Sequence, residues 1–257
     1  MCELFAVSLN KKIKLNDYLV SFFERSDEHP NGWGLAVFDD NNVSIEREPV
    51  KARNSLYLKN RLSSKIVASN LMAHIRKATI GDVEYENTHP FVAKDESGRK
   101  WVLMHNGTIF DSPVISAYQY RQVGSTDSER VLLYLVDQIN KQIIDDMNFF
   151  DVNERFKTVE SVIMKIVPEN KLNLVINDGE YLYIHKNENE TLFMKDTKDG
   201  VIFATHPLDK DEWHEVDDNR LLVYKSGECV YRGQRHSNTY VEDDEKIKLL
   251  YLGFSGL

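Results

Sequence analysis

From Lys171 onward the sequence repeats one pattern: short apolar runs, each cut off by a turn. "LNLVIND", "EYLYIHK", "TLFMK", "VIFAT", "RLLVYK" and "CVYR" follow one another, punctuated by Asp-Gly, Asp-Gly and Ser-Gly pairs. Such dipeptides close hairpins, so these strands are expected to pair antiparallel. The earlier chain is mixed. Residues 3–9 read as a strand with apolar residues on both faces, which suits a sheet covered on both sides. Leu15, Tyr18, Leu19, Phe22 and Phe23 recur at helical spacing, and the helix is expected to stop before the turn formers of "EHPNG". "WGLAVF" (33–38) and "VSIERE" (43–48) flank "DDNN" as a hairpin, and residues 55–62 suit a short helix. "KIVASNLMAHIR" (65–76) reads as a central strand, followed by a polar loop and then by the strand "KWVLMHNG". Thr126 and Glu129 have capping-box spacing ahead of the stripe Val131, Leu132, Leu135, Val136 and Ile139, and a second helix is expected over 152–165. Strands with one helix, then two helices, then a strand-rich half suit a sheet-on-sheet core with helices outside. With no internal repeat and no linker, residues 1–257 are expected to form a single domain.

Composition narrows the function. A formal net charge of −9 and the lack of a basic stretch argue against a nucleic-acid binder. Two cysteines in 257 residues point to a reducing compartment, not a disulfide scaffold. No signal pattern opens the chain and no apolar run approaches the ~18 residues that span a bilayer, so a cytoplasmic protein is expected. The eight histidines show no His-x-x-x-His and no Cys-x-x-Cys partner, and no Gly-rich phosphate loop is present. Neither a metal nor another cofactor is expected. Cys229, in "ECVYR", reads as a small buried residue, and the acidic and apolar tail from Val241 could dock on its own domain or a partner.

Four stretches carry candidate chemistry. Cys2 directly follows the initiator methionine; with Met1 removed, its thiol would sit beside a free α-amine. A thiol titrates near ~8.5 and an α-amine near ~8, so the amine can take the thiol proton and yield a nucleophilic thiolate. Alone, Cys2 reads more readily as a small residue opening a strand. Arg76 ends the long apolar strand with Thr79 in the next loop; a guanidinium there can hold a carboxylate, or be an ordinary surface arginine. Asn106-Gly107 reads as a hairpin turn, or as a side-chain amide and a close backbone N–H aimed at an oxyanion. Asp127 in "GSTDSE" complements a helix N-terminus whatever its function, and could also receive a substrate ammonium. Together these parts would hold an α-amino acid by its zwitterionic end and cleave its side-chain amide.

"MCELFAV", "HPNGWGLAVF", "AHIRKAT", "NTHPF", "HNG" and "STDSE", in this order, resemble the class II glutamine amidotransferase domain, an N-terminal-nucleophile hydrolase. These motifs cover about the first 130 residues, and "VIFATHPLDKDEW" near 201–213 is similar to a later stretch of stand-alone members. The resemblance implies an α+β fold, a four-layer αββα sandwich of two antiparallel sheets. It implies that Cys2 attacks the amide of glutamine or a γ-glutamyl compound, giving a thioester that water cleaves to glutamate. Arg76 would match the α-carboxylate holder, Asp127 the α-ammonium holder, and Asn106 and Gly107 the oxyanion hole. His89 and Trp33 match motif positions and are assigned to shaping the pocket. Lys77 and Ile80 stand where sugar-phosphate members often carry an aromatic and a polar residue. The expected partner is a small molecule, glutamine or a γ-glutamyl compound, with a separate synthase chain as a further candidate. Alternatives are an ammonia-donating subunit or a silent amino-acid-binding module.

Overall fold

The computed structural model describes residues 2–39, 42–145 and 151–243, with Glu245 and Lys248. The chain opens with β1 (Glu3–Lys14), α1 (Asn16–Glu24), β2 (Trp33–Asp39), β3 (Asn42–Glu48), α2 (Leu56–Ser63) and β4 (Val67–Ile75). It continues through β5 (Phe91–Lys94), β6 (Lys100–Thr108), α3 (Pro113–Ser116), α4 (Asp127–Asp145) and α5 (Val152–Ile166). The strand-rich end holds β7 (Lys171–Asn177), β8 (Leu182–Lys186), β9 (Phe193–Thr197) and β10 (Gly200–Ala204). It closes with β11 (His214–Glu215), β12 (Arg220–Lys225) and β13 (Glu228–Arg232).

Two antiparallel sheets result. One runs β11-β9-β10-β1-β4-β2-β3 and the other β13-β12-β8-β7-β6-β5. Period-two alternation assigns each strand residue to a layer. Leu4 and Ala6 of β1 face the second sheet and meet Val102, Met104, Val175 and Ile184 between the sheets. Phe5 and Val7 point the other way, onto Leu19 and Phe22 of α1. On the far side, Trp101 and Leu103 pack against Leu132 and Leu135 of α4 and Phe156 and Val159 of α5. The order is helices, sheet, sheet, helices: the four-layer αββα sandwich. No helix among the described residues is long and apolar enough to cross a membrane.

Several expectations change in detail. The first strand runs on to Lys14 across a register shift between Ser8 and Ile13, because its polar end still pairs with β4. β5 was not anticipated; "FVAK" is short and half exposed, so its apolar pattern is faint. The capping box is half formed. Thr126 accepts the Glu129 N–H at 3.2 Å, but the Glu129 carboxylate reaches upstream to the N–H groups of Val123 and Gly124 at 2.9 and 2.8 Å. Cys229 is half buried, not buried, because β13 is an edge strand. Apart from Val241–Asp243, Glu245 and Lys248, the tail lies outside the described residues.

The interior holds neutral histidines. His74 and His89 stack with ring centres 4.2 Å apart, and burial pulls His74 down to about 3 and His89 well below its ordinary value. His185 is likewise drawn down to about 3 by burial. An unfolded histidine titrates near ~6.5, so between about pH 3 and 6.5 the unfolded chain binds protons that the native chain refuses. Stability must therefore fall as pH drops through that window, by about 1.4 kcal/mol per pH unit for each such histidine. Urea titrations from pH 7.5 to 4.5 should show this fall, and His185→Gln should flatten it by about one proton. An unchanged slope in the variant would remove His185 from the account.

Candidate active site

Cys2 immediately precedes β1, and strand alternation turns it to the same side as Leu4 and Ala6, toward the second sheet. Asn106 on β6 shares the inward side of Val102 and Met104 and faces back. The two residues meet. The Cys2 N–H donates to Asn106 Oδ1 at 3.1 Å. Asn106 is fully buried, and its other amide end, Nδ2, is buried with no hydrogen-bond partner. Leaving a buried donor unpaired costs about 1–3 kcal/mol, so this atom is a conspicuous place for a ligand oxygen.

Asn106-Gly107 is not a turn. Both residues lie inside β6, in register with Asn173 and Leu172 of β7. A Cβ at position 107 would stand 2.1 Å from the Lys171 carbonyl oxygen and 2.4 Å from His105 Nε2. Close packing of the strand against its neighbour, and not hairpin geometry, requires glycine here.

Arg76 leaves the end of β4 and is only 2% exposed. Its Nη1 donates to the Asp82 carbonyl at 2.8 Å, and its Nη2 to Ile80 and Gly81 at 3.0 and 2.8 Å. The guanidinium thus gathers its own loop around itself before any ligand arrives. The next peptide, at Lys77, borders the thiol: its N–H and carbonyl each lie 3.4 Å from Cys2 Sγ. Burial pushes the Cys2 thiol above its ordinary value, while the Lys77 N–H and the Arg76 charge pull the other way. Burial pulls Arg76 down and the charges of Cys2 and Asp127 hold it up.

Asp127 opens α4. Its Oδ2 accepts the Ile109 N–H at 2.8 Å and its Oδ1 the Ser128 N–H at 2.8 Å, so the helix is pinned just beyond β6. Ser128 lies 3.0 Å from His105 Nδ1, next to Asn106. Thr79 and Thr108 face each other, hydroxyl to hydroxyl, at 3.5 Å. Cys2, Arg76, Thr79, Asn106, Gly107 and Asp127 therefore gather at one end of the sandwich, drawn from both sheets. Asn31 also belongs here: its Oδ1 accepts the Ala78 N–H at 3.0 Å and its N–H donates to the Arg76 carbonyl at 3.0 Å. It stands in "HPNGWG", yet nothing in its residue type distinguished it from a turn asparagine.

The family model of class-II glutamine amidotransferases matches residues 1–196. The chain belongs to that family. An uncharacterised protein of Methanocaldococcus jannaschii is 34% identical over 262 residues, covering 91% of this chain and 72% of its own. Among solved structures, a predicted glutamine amidotransferase from Pseudomonas aeruginosa superposes with a TM-score of 0.62 at 22% identity, covering 90% of this chain and 100% of that one. The glutamine phosphoribosylpyrophosphate amidotransferase of Bacillus subtilis gives 0.64 at 13% identity, covering 94% of this chain and 50% of that one. These two likenesses bear on the fold alone.

In this member of the class-II family, two motif residues sit away from the cluster. Trp33 lies on the helix-covered face of the first sheet, wedged between Phe23 and Tyr57, with its indole N–H on Glu48 at 3.1 Å. It packs the outer core and does not shape a pocket; the period-two alternation of β2 turns it outward. His89 is 4% exposed, stacks on His74 and meets Phe91 edge-on, with neither ring nitrogen hydrogen-bonded. No three His, Cys, Asp or Glu among the described residues form a metal-binding group.

With Met1 attached, the Cys2 nitrogen is a peptide nitrogen and cannot take the thiol proton, while burial holds the thiol above its ordinary value. Iodoacetamide should then alkylate Cys2 more slowly at pH 7.5 than a thiol titrating near ~8.5, with the rate climbing as pH rises further. Peptide mass spectrometry reads Cys2 and Cys229 separately. Fast, pH-independent labelling of Cys2 would contradict the raised thiol.

Proposed function

We propose that this protein is a cysteine-nucleophile amidohydrolase acting on glutamine or a γ-glutamyl amide. The single observation that supports it is the division of labour at Asn106, whose oxygen holds the Cys2 nitrogen while its buried Nδ2 stays unpaired. Once residue 1 is removed, the Cys2 nitrogen becomes an amine that keeps its bond to Asn106 and turns its lone pair to the thiol. It takes the Sγ proton, and the sulfur bonds to the amide carbon of the substrate. Negative charge moves to the amide oxygen, where Asn106 Nδ2 and the Gly107 N–H receive it; one such donor contributes about 3–4 kcal/mol. The carbon–nitrogen bond then breaks, and the leaving amine departs with the proton. Water attacks the resulting γ-glutamyl thioester, releasing glutamate and restoring the thiol.

Arg76 and Asp127 take the substrate α-carboxylate and α-ammonium, with Thr79 beside them. Their charges both act on Cys2, which supports their holding the charged head of an amino acid near the sulfur. His89 supports this wall from behind by stacking on His74. A second reading keeps the chemistry and delivers the ammonia to a separate synthase chain.

Processed protein, checked by intact mass, should release glutamate from glutamine or γ-glutamyl amides. Cys2→Ala should abolish release, by at least about 10³-fold, with the fold preserved by circular dichroism. Undiminished turnover in a folded variant would sink the proposal. Arg76→Ala should chiefly raise KM, because a non-reacting carboxylate is held alike in ground and transition states.

A further inference from the structure

The two charged groups of the proposed amino-acid clamp belong to different sheets. Arg76 follows β4 of the first, whereas Asp127 starts α4, which packs on the second. Something must set their separation. Asn87 sits between them, 1% exposed, in the crossing from β4 to β5. Its Nδ2 donates at 3.1 Å to the Asp82 carbonyl, the same oxygen that accepts Arg76 Nη1 at 2.8 Å. Its Oδ1 accepts the Ser125 N–H at 2.7 Å, and Nδ2 also meets Ser125 Oγ at 3.0 Å. Ser125 is two residues before Asp127. A continuous line therefore runs from the guanidinium, through one carbonyl and one asparagine, to the start of α4.

The line is also packed tight. A Cβ on Gly124 would stand 2.3 Å from Asn87 Oδ1. One on Gly81, whose φ is +81°, would lie 3.0 Å from Ser125 Oγ and from Thr126 Cγ2. Neither segment can move closer, and Asn87 keeps them from moving apart. Both ends of its amide are already hydrogen-bonded within the protein, so it has no role as a substrate contact.

We infer that Asn87 is a positioning residue that holds Arg76 and Asp127 at the spacing of an α-carboxylate and an α-ammonium. It thereby selects ligands carrying both groups. This rests on the clamp assignment of the proposed function, but it is testable by binding alone. Aspartate is informative as well as alanine: it keeps the acceptor for Ser125 N–H and can accept from the Ser125 hydroxyl, but sets a carboxylate oxygen against the Asp82 carbonyl, so the break falls on the Arg76 side.

The test is calorimetric binding of L-glutamate and of glutarate, which lacks the ammonium, to the wild type, Asn87→Ala and Asn87→Asp. Thermal midpoints and circular dichroism report folding. The expected result is a loss of glutamate affinity of about tenfold in both variants, with glutarate changing less than about threefold. A preference for glutamate over glutarate that survives both substitutions would overturn the inference, as would equal losses for the two ligands. So would a wild type that binds neither ligand or binds both alike. A wild type that binds glutamate selectively yet hydrolyses no amide would sink the proposed reaction and leave the positioning role standing.

Discussion

One hydrogen bond joins the start of the chain to the other sheet: Cys2 N–H to Asn106 Oδ1, across 104 residues of sequence. The first residues of a domain fray unless something ties them down. Here β1 is held between β4 and β10 in the interior of its sheet, and the bond to Asn106 fixes Cys2, immediately before the ladder. Inward alternation on β1 and on β6 must agree for the two side chains to meet. A slip of one residue in either strand would turn Cys2 toward α1 or Asn106 toward α4. The apolar layer between the sheets thus fixes the register that the polar site depends on.

The surrounding polar groups decide where a proton can go. His74 is the histidine on the inward face, in register with Leu4, and burial holds it at about 3. A nitrogen that weak is a poor acceptor for a thiol proton at neutral pH, whereas an α-amine near ~8 is well matched. His89 and His105 are pulled down as well. His74 and His105 donate to the His105 and Lys171 carbonyls, His89 packs without a hydrogen bond, and a free terminal nitrogen is a better base than His74 by several pH units. The pressure to bury neutral rings beside the site appears elsewhere as sensitivity of the fold to acid.

Much of this was legible from the residues. The closing strands, the 33–48 hairpin and the helices at 16–24, 56–63 and 152–166 follow their periodicities closely, because each has one face on an apolar layer. The cluster of Cys2, Arg76, Asn106 and Asp127 was legible only as a set, since each residue alone had an ordinary explanation. Asn-Gly at 106–107 shows why: the dipeptide that usually makes a turn lies flat in a strand, and only the Lys171 carbonyl 2.1 Å from a hypothetical Cβ says so. Trp33 misled because a motif position does not reveal which face of a strand it occupies. Asn31 and Asn87 were hidden for a related reason. Their work is done through backbone groups of loops far away in sequence, and residue type carries no trace of that.

The central claim is that the Cys2 sulfur, beside its own amine and opposite the unpaired Asn106 amide, forms a bond to the glutamyl carbon. The most direct measurement mixes processed protein with glutamine, quenches in acid within one turnover, and reads the N-terminal peptide by mass spectrometry. The account predicts a peptide heavier by one glutamyl residue, carried on Cys2 and lost with hydroxylamine. Turnover of glutamine with that peptide always unmodified, or with the adduct on another residue, would contradict it.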